Sequence, residues 1–193
     1  MENKQLRDYA VKTAKLSVFS NAALALCKLV AGIAIGSVSV ISEAAHSLID
    51  LLASFIALFA VKKSSRPADK DHPYGHEKYE NVSGVIEALL IFGAAVYIIY
   101  EAVSRLIHPR AIEMPAVGLL VMFVSCAVNF FISEKLFYAA EKTGSVALEA
   151  DGWHLRTDVY TSFGVMLALL AITAAEFFSP ARIFTGSIPP RLL

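Results

Sequence analysis

The sequence predicts an all-α membrane protein, a bundle of five transmembrane helices in which helices 2 and 5 are related by a repeat. Three observations carry this. The 193 residues are 56% hydrophobic, with a mean hydropathy of +0.59, more apolar than an ordinary soluble domain. The charges are segregated into the first fifteen residues, the 62–80 stretch and short loops, and the blocks between approach the ~20 residues that cross a bilayer. Two stretches 108 positions apart also carry one polar pattern. Gly36-Ser37-Val38, His46, Asp50, Ser54 and Phe55 match Gly144-Ser145-Val146, His154, Asp158, Ser162 and Phe163. An acid stands three positions before each histidine, Glu43 and Asp151.

Span one covers about 14–35 and is interrupted by Asn21 and Lys28. It is too long for the apolar region of a signal peptide, and no small-residue cleavage pattern follows, so it is read as a retained span. Span two, 38–61, carries His46 and Asp50. Span three, 82–104, carries Glu87, and span four, 115–138, carries Asn129. Span five, 145–173, carries Glu149, Asp151, His154, Arg156 and Asp158. Ionisable residues at such depth face protein or water and mark substrate paths. Residues 1–176 form one membrane domain. The 177–193 tail holds Pro180, Pro189 and Pro190, which stop a helix, and is read as a truncation or a frameshifted end.

Lysine and arginine counts in loops set orientation. Lys4, Arg7, Lys12 and Lys15 precede span one, and Lys62, Lys63, Arg66, Lys70 and Lys78 follow span two. Both segments are expected to be cytoplasmic. The uncharged Gly36 turn then faces outward, Lys142 lies in the next inward turn, and the C-terminus ends outside. Arg105 and Arg110 weaken the rule at the outer loop without reversing it, and His108 beside them is read as a surface residue. The formal net charge is zero, so nothing in it argues for nucleic acid. Cys27 and Cys126 sit in apolar runs without CxxC spacing, which disfavours a disulfide framework or thiolate zinc site.

His and Asp at i and i+4 share one helix face. Two such helices facing each other present His46, Asp50, His154 and Asp158, a set that can hold one divalent metal in a tetrahedron. A shell closed by protein ligands binds and releases; it leaves no position for hydrolysis. Ser54 and Ser162, one turn further, fit close helix packing. Lys28 fits a carboxylate partner or a snorkelling side chain. Glu43 and Asp151 fit either charges at the outer mouth or an N-terminal helix role. In the 62–80 loop, Asp69-x-x-His72-x-x-x-His76 offers one carboxylate and two imidazoles among Pro67, Pro73 and Gly75. By spacing alone it fits a divalent-cation site and a solvated turn equally. His76-Glu77 lacks the second histidine, at position 80, that a zinc-protease helix requires. No glycine-rich phosphate loop or Ser/His/Asp set is present.

These motifs, running from about residue 10 to 173, resemble the cation diffusion facilitator family of divalent-cation exporters. The carriers are Gly36-Ser37-Val38 through His46-Ser47-Leu48-Ile49-Asp50, Arg66-Pro67-Ala68-Asp69 through His72-Pro73-Tyr74-Gly75-His76, and His154-Leu155-Arg156-Thr157-Asp158. The resemblance implies a six-helix membrane domain followed by a cytoplasmic domain, assembled as a homodimer; the sixth helix and that domain have no counterpart here. It implies that His46, Asp50, His154 and Asp158 form the transport site and that Asp69, His72 and His76 form a second site in the cytoplasmic loop. It also matches Lys78 to a basic residue that pairs with the C-terminal domain in some members. Two histidines with two aspartates go with zinc preference over cadmium in the family.

The expected function is efflux of Zn2+, with Cd2+, Co2+ or Fe2+ as other candidates, exchanged for protons by alternating access. The expected partners are metal ions, protons and the lipid bilayer, with a homodimer in the full-length form. The expected location is a prokaryotic inner membrane. The alternative is a membrane metal-binding or sensing module, or an inactive fragment of such a transporter.

Overall fold

The computed structural model describes residues 2–36, 38–107 and 116–178. Ser37, the outer-loop residues His108 and Arg110, and residues 179–193 of the tail lie outside them. Five helices follow one another: α1 Glu2–Ile35, α2 Val38–Ser64, α3 Lys78–Ile107, α4 Ala116–Thr143 and α5 Val146–Phe178. Among the described residues there is no strand.

α1 starts twelve residues before the expected span. Residues 2–13 contain no proline or glycine and are rich in Glu, Lys, Gln, Leu and Arg, all good helix formers. The charged segment therefore continues the helix, and Arg7 Nη1 donates to the Ser65 carbonyl at 3.2 Å, beyond the end of α2. α3 likewise overruns its expected span at both ends.

The repeat is visible in the backbone. α1 and α4 both stop at a glycine in the left-handed region, Gly36 at φ +69° and Gly144 at φ +67°. Gly36 N–H donates to the Ile33 carbonyl at 3.2 Å, and Gly144 N–H to the Ala140 carbonyl at 2.7 Å. Glycine takes this conformation without a Cβ clash. Each turn closes a tight antiparallel hairpin, α1–α2 and α4–α5, and these are the two most extensive helix pairings. α1 then packs on α4, and α2 and α5 touch each other and α3.

The apolar core gathers at the end of the bundle that bears the 65–77 loop. Ala10 and Ala14 of α1 meet Val61 of α2, Leu136 and Ala139 of α4, and Leu148 and Leu155 of α5. Small residues bring backbones close, which drives helix association where lipid removes the hydrophobic incentive. Phe19, Leu26, Phe59, Leu89, Phe92, Phe123 and Phe131 point outward. Such a surface suits hydrocarbon, not water. α3 is the peripheral helix: 11% of its apolar window is buried, against 33–44% for α1, α2 and α4.

Those four helices are long and apolar enough to cross a membrane. α5 has the length, 33 residues, but its first half carries Glu149, Asp151, Arg156 and Asp158. The sequence predicts five spans, and among the described residues α5 turns Asp151 and His154 into the bundle.

One carboxylate ties three helix ends together. Glu80, in the first turn of α3, pairs through Oε1 with the Ser64 hydroxyl at the end of α2. Its Oε2 accepts from the Ser145 hydroxyl at 2.5 Å and from Ala147 N–H at 3.4 Å. Ser145 Oγ in turn accepts from Leu148 N–H at 3.3 Å, which makes it the N-cap of α5. Replacing Glu80 with Ala leaves the cap and Ser64 without their acceptor. The expected loss is about 1–3 kcal/mol, read as a lower melting temperature in detergent, with Glu80→Gln restoring part of it. An unchanged melting temperature in Glu80→Ala removes the clasp.

Candidate metal centres

The two hairpins put the repeat's polar faces against each other. Asp50 of α2 is buried, and its Oδ1 lies 3.3 Å from Nε2 of His154 on α5 and 3.9 Å from Nε2 of His46, one turn earlier on α2. Potential ligand atoms of His46, Asp50 and Asp158 all lie within 4.8 Å of one another. His154 joins that trio through Asp50 Oδ1. The four side chains named from the spacing thus share one locus. Asp50 and His154 are nearly inaccessible, whereas the His46 side chain remains 49% exposed, at the rim. Asp158 Oδ2 and His154 Nδ1 have no hydrogen-bond partner among the described residues.

Buried polar groups normally find partners. Around the quartet most do. Asn21 of α1 donates through Nδ2 to Ser54 Oγ at 3.1 Å, and Ser54 lies 3.1 Å from the Asp50 carbonyl. Ser54 therefore fastens α2 to α1 and is fully buried, which matches the packing role read from the sequence. Lys28 is neutralised: Nζ donates to Ser47 Oγ at 2.9 Å and sits 3.5 Å from Glu43 Oε2. Glu43 lies beside Lys28 with 41% of its side chain exposed, whereas Asp151 is fully buried. Arg156 leaves the site altogether. It pairs with Glu134 of α4, its guanidinium carbon 4.6 Å from the Phe130 ring centroid.

The 65–77 loop builds the second centre. Asp69 Oδ1 accepts backbone N–H bonds from Asp71 at 3.1 Å and His72 at 2.7 Å, an Asx turn. Gly75, at φ +88°, lets its own N–H reach the His72 carbonyl at 3.0 Å. This reversal brings both imidazoles to one carboxylate. His72 Nδ1 is 3.1 Å from Asp69 Oδ1, and His76 Nε2 is 3.3 Å from Oδ2. The two rings stand 4.4 Å apart, and potential ligand atoms of all three residues lie within 4.8 Å of one another. His76 is buried, with both ring nitrogens lacking a hydrogen-bond partner among the described residues. The backbone N–H of His72 holds the Asp69 carboxyl below the usual range. The folded loop gains from this charge above the ordinary carboxylate pKa and loses it only as pH falls through the lowered value. Asp69 is thus anionic at any pH near neutrality.

Tertiary structure adds contacts that no spacing pattern marks. Glu80 makes one set. Glu87 of α3 and Asp151 of α5 are both fully buried and near His154. The sequence offers a lone acid in span three and an acid in span five at the repeat position of Glu43, without any indication that the two meet.

A membrane-embedded helical bundle with clustered imidazole and carboxylate ligands defines a metal-handling membrane protein. Consistent with this, residues 14–184 match the cation efflux transmembrane domain. The chain belongs to the cation efflux family and is an integral membrane protein. An uncharacterised transporter of Synechocystis is 37% identical over 182 residues, 93% of this chain and 57% of that protein. An uncharacterised transporter of Methanocaldococcus jannaschii is 35% identical, covering 80% and 55%. The cation-efflux pump FieF of Serratia proteamaculans is 32% identical, covering 82% and 53%. The chain spans little more than half the length of the curated relatives it matches.

Proposed function

We propose that this protein carries out the transmembrane part of divalent-cation efflux, with Zn2+ as the main cargo and protons as the counter-ion, working as a secondary transporter and not an enzyme. The observation that carries it is Asp50 Oδ1 held between His154 and His46 in a buried locus shared with Asp158. Zinc takes imidazole nitrogen and carboxylate oxygen at about 2 Å in four-coordinate shells. Ligand atoms about 2 Å from one ion in a tetrahedron stand about 3.3 Å from one another, so the 3.3 and 3.9 Å separations already approach the spacing of such a shell. The two carboxylates cancel the charge of an ion that low dielectric would otherwise exclude. Metal and proton compete for the same imidazoles, so binding releases protons and acid releases metal. Loading from one side and proton-driven release on the other, with the helices rocking between, is alternating access.

The positive segments at both ends of the 2–64 hairpin support a cytoplasmic N-terminus, which places the loop centre on the cytoplasmic face. Asp69, His72 and His76 then form a second divalent-cation site there. A prokaryotic plasma membrane and, in a longer form with the cytoplasmic domain, a homodimer complete the reading. Residues 1–176 form its membrane domain.

Zinc flux tests it. In proteoliposomes holding the purified chain, an acid-inside pH gradient drives zinc inward, against the exit of protons, and collapsing the gradient stops it. A chain that binds zinc without moving it is a binding module, and the proposal fails. Selectivity gives a further prediction. His46→Asp retains zinc and admits cadmium, because it breaks the set of two histidines and two aspartates that the family resemblance ties to zinc preference. Unchanged cadmium exclusion takes selectivity away from His46.

A further inference from the structure

Four buried oxygens beside the quartet have no hydrogen-bond partner among the described residues: Glu87 Oε2, both carboxylate oxygens of Asp151, and Ser17 Oγ. They come from three helices, α3, α5 and α1. All three side chains are fully buried. Asp151 faces Ser17, and Glu87 lies within electrostatic reach of Asp151 and His154. The other Glu87 oxygen accepts from the Ser83 hydroxyl at 3.0 Å, so Glu87 is held on one side and open on the other.

Among the described residues no lysine or arginine pairs with these two acids, and His154, which acts on both, is shared with Asp50. Lys28 belongs to Glu43 and Ser47, and Arg156 to Glu134. His154 turns Nε2 to Asp50. Among the described residues no ion pair reaches Glu87 or Asp151. With a divalent ion in the quartet, Asp50 and Asp158 are balanced and these two carboxylates are not. Isolated buried charge is among the most costly arrangements a protein can hold, and orphaned buried oxygens call for a water, a proton or an ion that the side chains around them do not supply.

We propose that Glu87, Asp151 and Ser17 form a third cation site, an all-oxygen seat for a divalent metal between the loop end of the bundle and the quartet. Its position follows from helix register. Asp151 precedes His154 by about one turn and Asp158 by about two on α5, and α5 begins at the loop end beside Glu80. An ion coming from the loop end meets Asp151 before Asp158. Oxygen-only ligation is weak for zinc beside imidazole, which suits a seat that passes its ion on. The relay role rests on the transport reading above; the existence of the site does not.

Mn2+ is the probe, because its electron paramagnetic resonance distinguishes nitrogen from oxygen ligands by hyperfine coupling. The purified chain is titrated with Mn2+ alone. The quartet and the loop both contain imidazole, so ions there couple to nitrogen. The expected result is an additional bound Mn2+ without nitrogen coupling. Glu87→Gln and Asp151→Asn should each weaken it at least ~10-fold, Ser17→Ala should weaken it less, and Asp50→Asn should leave it in place. A wild-type spectrum in which every bound Mn2+ couples to nitrogen overturns the proposal without any variant. So does an oxygen-only signal that survives both acidic substitutions. An infrared band of a protonated carboxylic acid that Glu87→Gln removes and saturating Mn2+ leaves unchanged also overturns it, since the pair then holds a proton. If the number of nitrogen-coupled Mn2+ ions does not fall in Asp50→Asn and Asp158→Asn, the quartet reading sinks and this site is left standing.

Discussion

Asp50→Asn will abolish zinc binding at the quartet and reduce zinc flux to the protein-free background. Asp50 stands between the imidazoles of both repeats, 3.3 Å from His154 Nε2 and 3.9 Å from His46 Nε2. The amide keeps the volume and one carbonyl oxygen but removes the negative charge. The ion then faces one carboxylate, Asp158, in a poorly hydrated locus. Loss of a residue that only supports a ligand costs about 10–100-fold in metal affinity; loss of a charged ligand exceeds that. Titration calorimetry checks it on the purified chain in detergent, in buffers of different ionisation enthalpy. The wild type should show a zinc-binding event with proton release that Asp50→Asn lacks, and Asp158→Asn should behave alike. Wild-type titrations in both variants would reduce the quartet to a set of helix-to-helix hydrogen bonds.

His76→Ala will remove the loop centre while leaving the quartet's event in the same titration. His76 is the buried member of the loop trio, stacked against Tyr79 at a ring-centroid distance of 6.0 Å. The truncation deletes a ligand and opens a void beneath the loop. Zinc affinity at that centre should fall by more than ~100-fold. His72→Ala, whose ring is more accessible, should lose the metal with less effect on the fold. The two variants therefore separate ligation from packing. Equal zinc stoichiometry in wild type and both variants would return the loop to a simple turn.

Much of this was legible before any coordinates. The repeat at 108 residues appears as two hairpins with matching left-handed glycines, because a glycine followed by a polar-faced helix is a local instruction. The grouping of the four side chains was readable for the same reason: i and i+4 spacing fixes a face, and the two faces meet, with His46 left at the rim. The loop trio was readable as a cluster but not as a centre, since the Asx turn at Asp69 and the reversal at Gly75 decide whether the imidazoles converge. Glu80 and the Glu87–Asp151 pair were not readable. Their partners lie 65 and 64 positions away on other helices, and no periodicity encodes which acids meet across a bundle. The early start of α1 was missed because charge was taken to end a span, whereas a helix continues through Lys and Glu as readily as through Leu.

The Glu80 clasp has a mechanical meaning. By fastening the end of α2 and the starts of α3 and α5 to a single carboxylate, it makes one end of the bundle a fulcrum. α2 is 27 residues long, about 40 Å, so a tilt of about 10° at the fulcrum sweeps its far end through about 7 Å while the clasped end barely moves. The lever arm grows from Glu80 past the quartet to the Gly36 turn. In the alternating-access reading proposed above, a small torque on the carboxylate end would be amplified into an aperture at the opposite face.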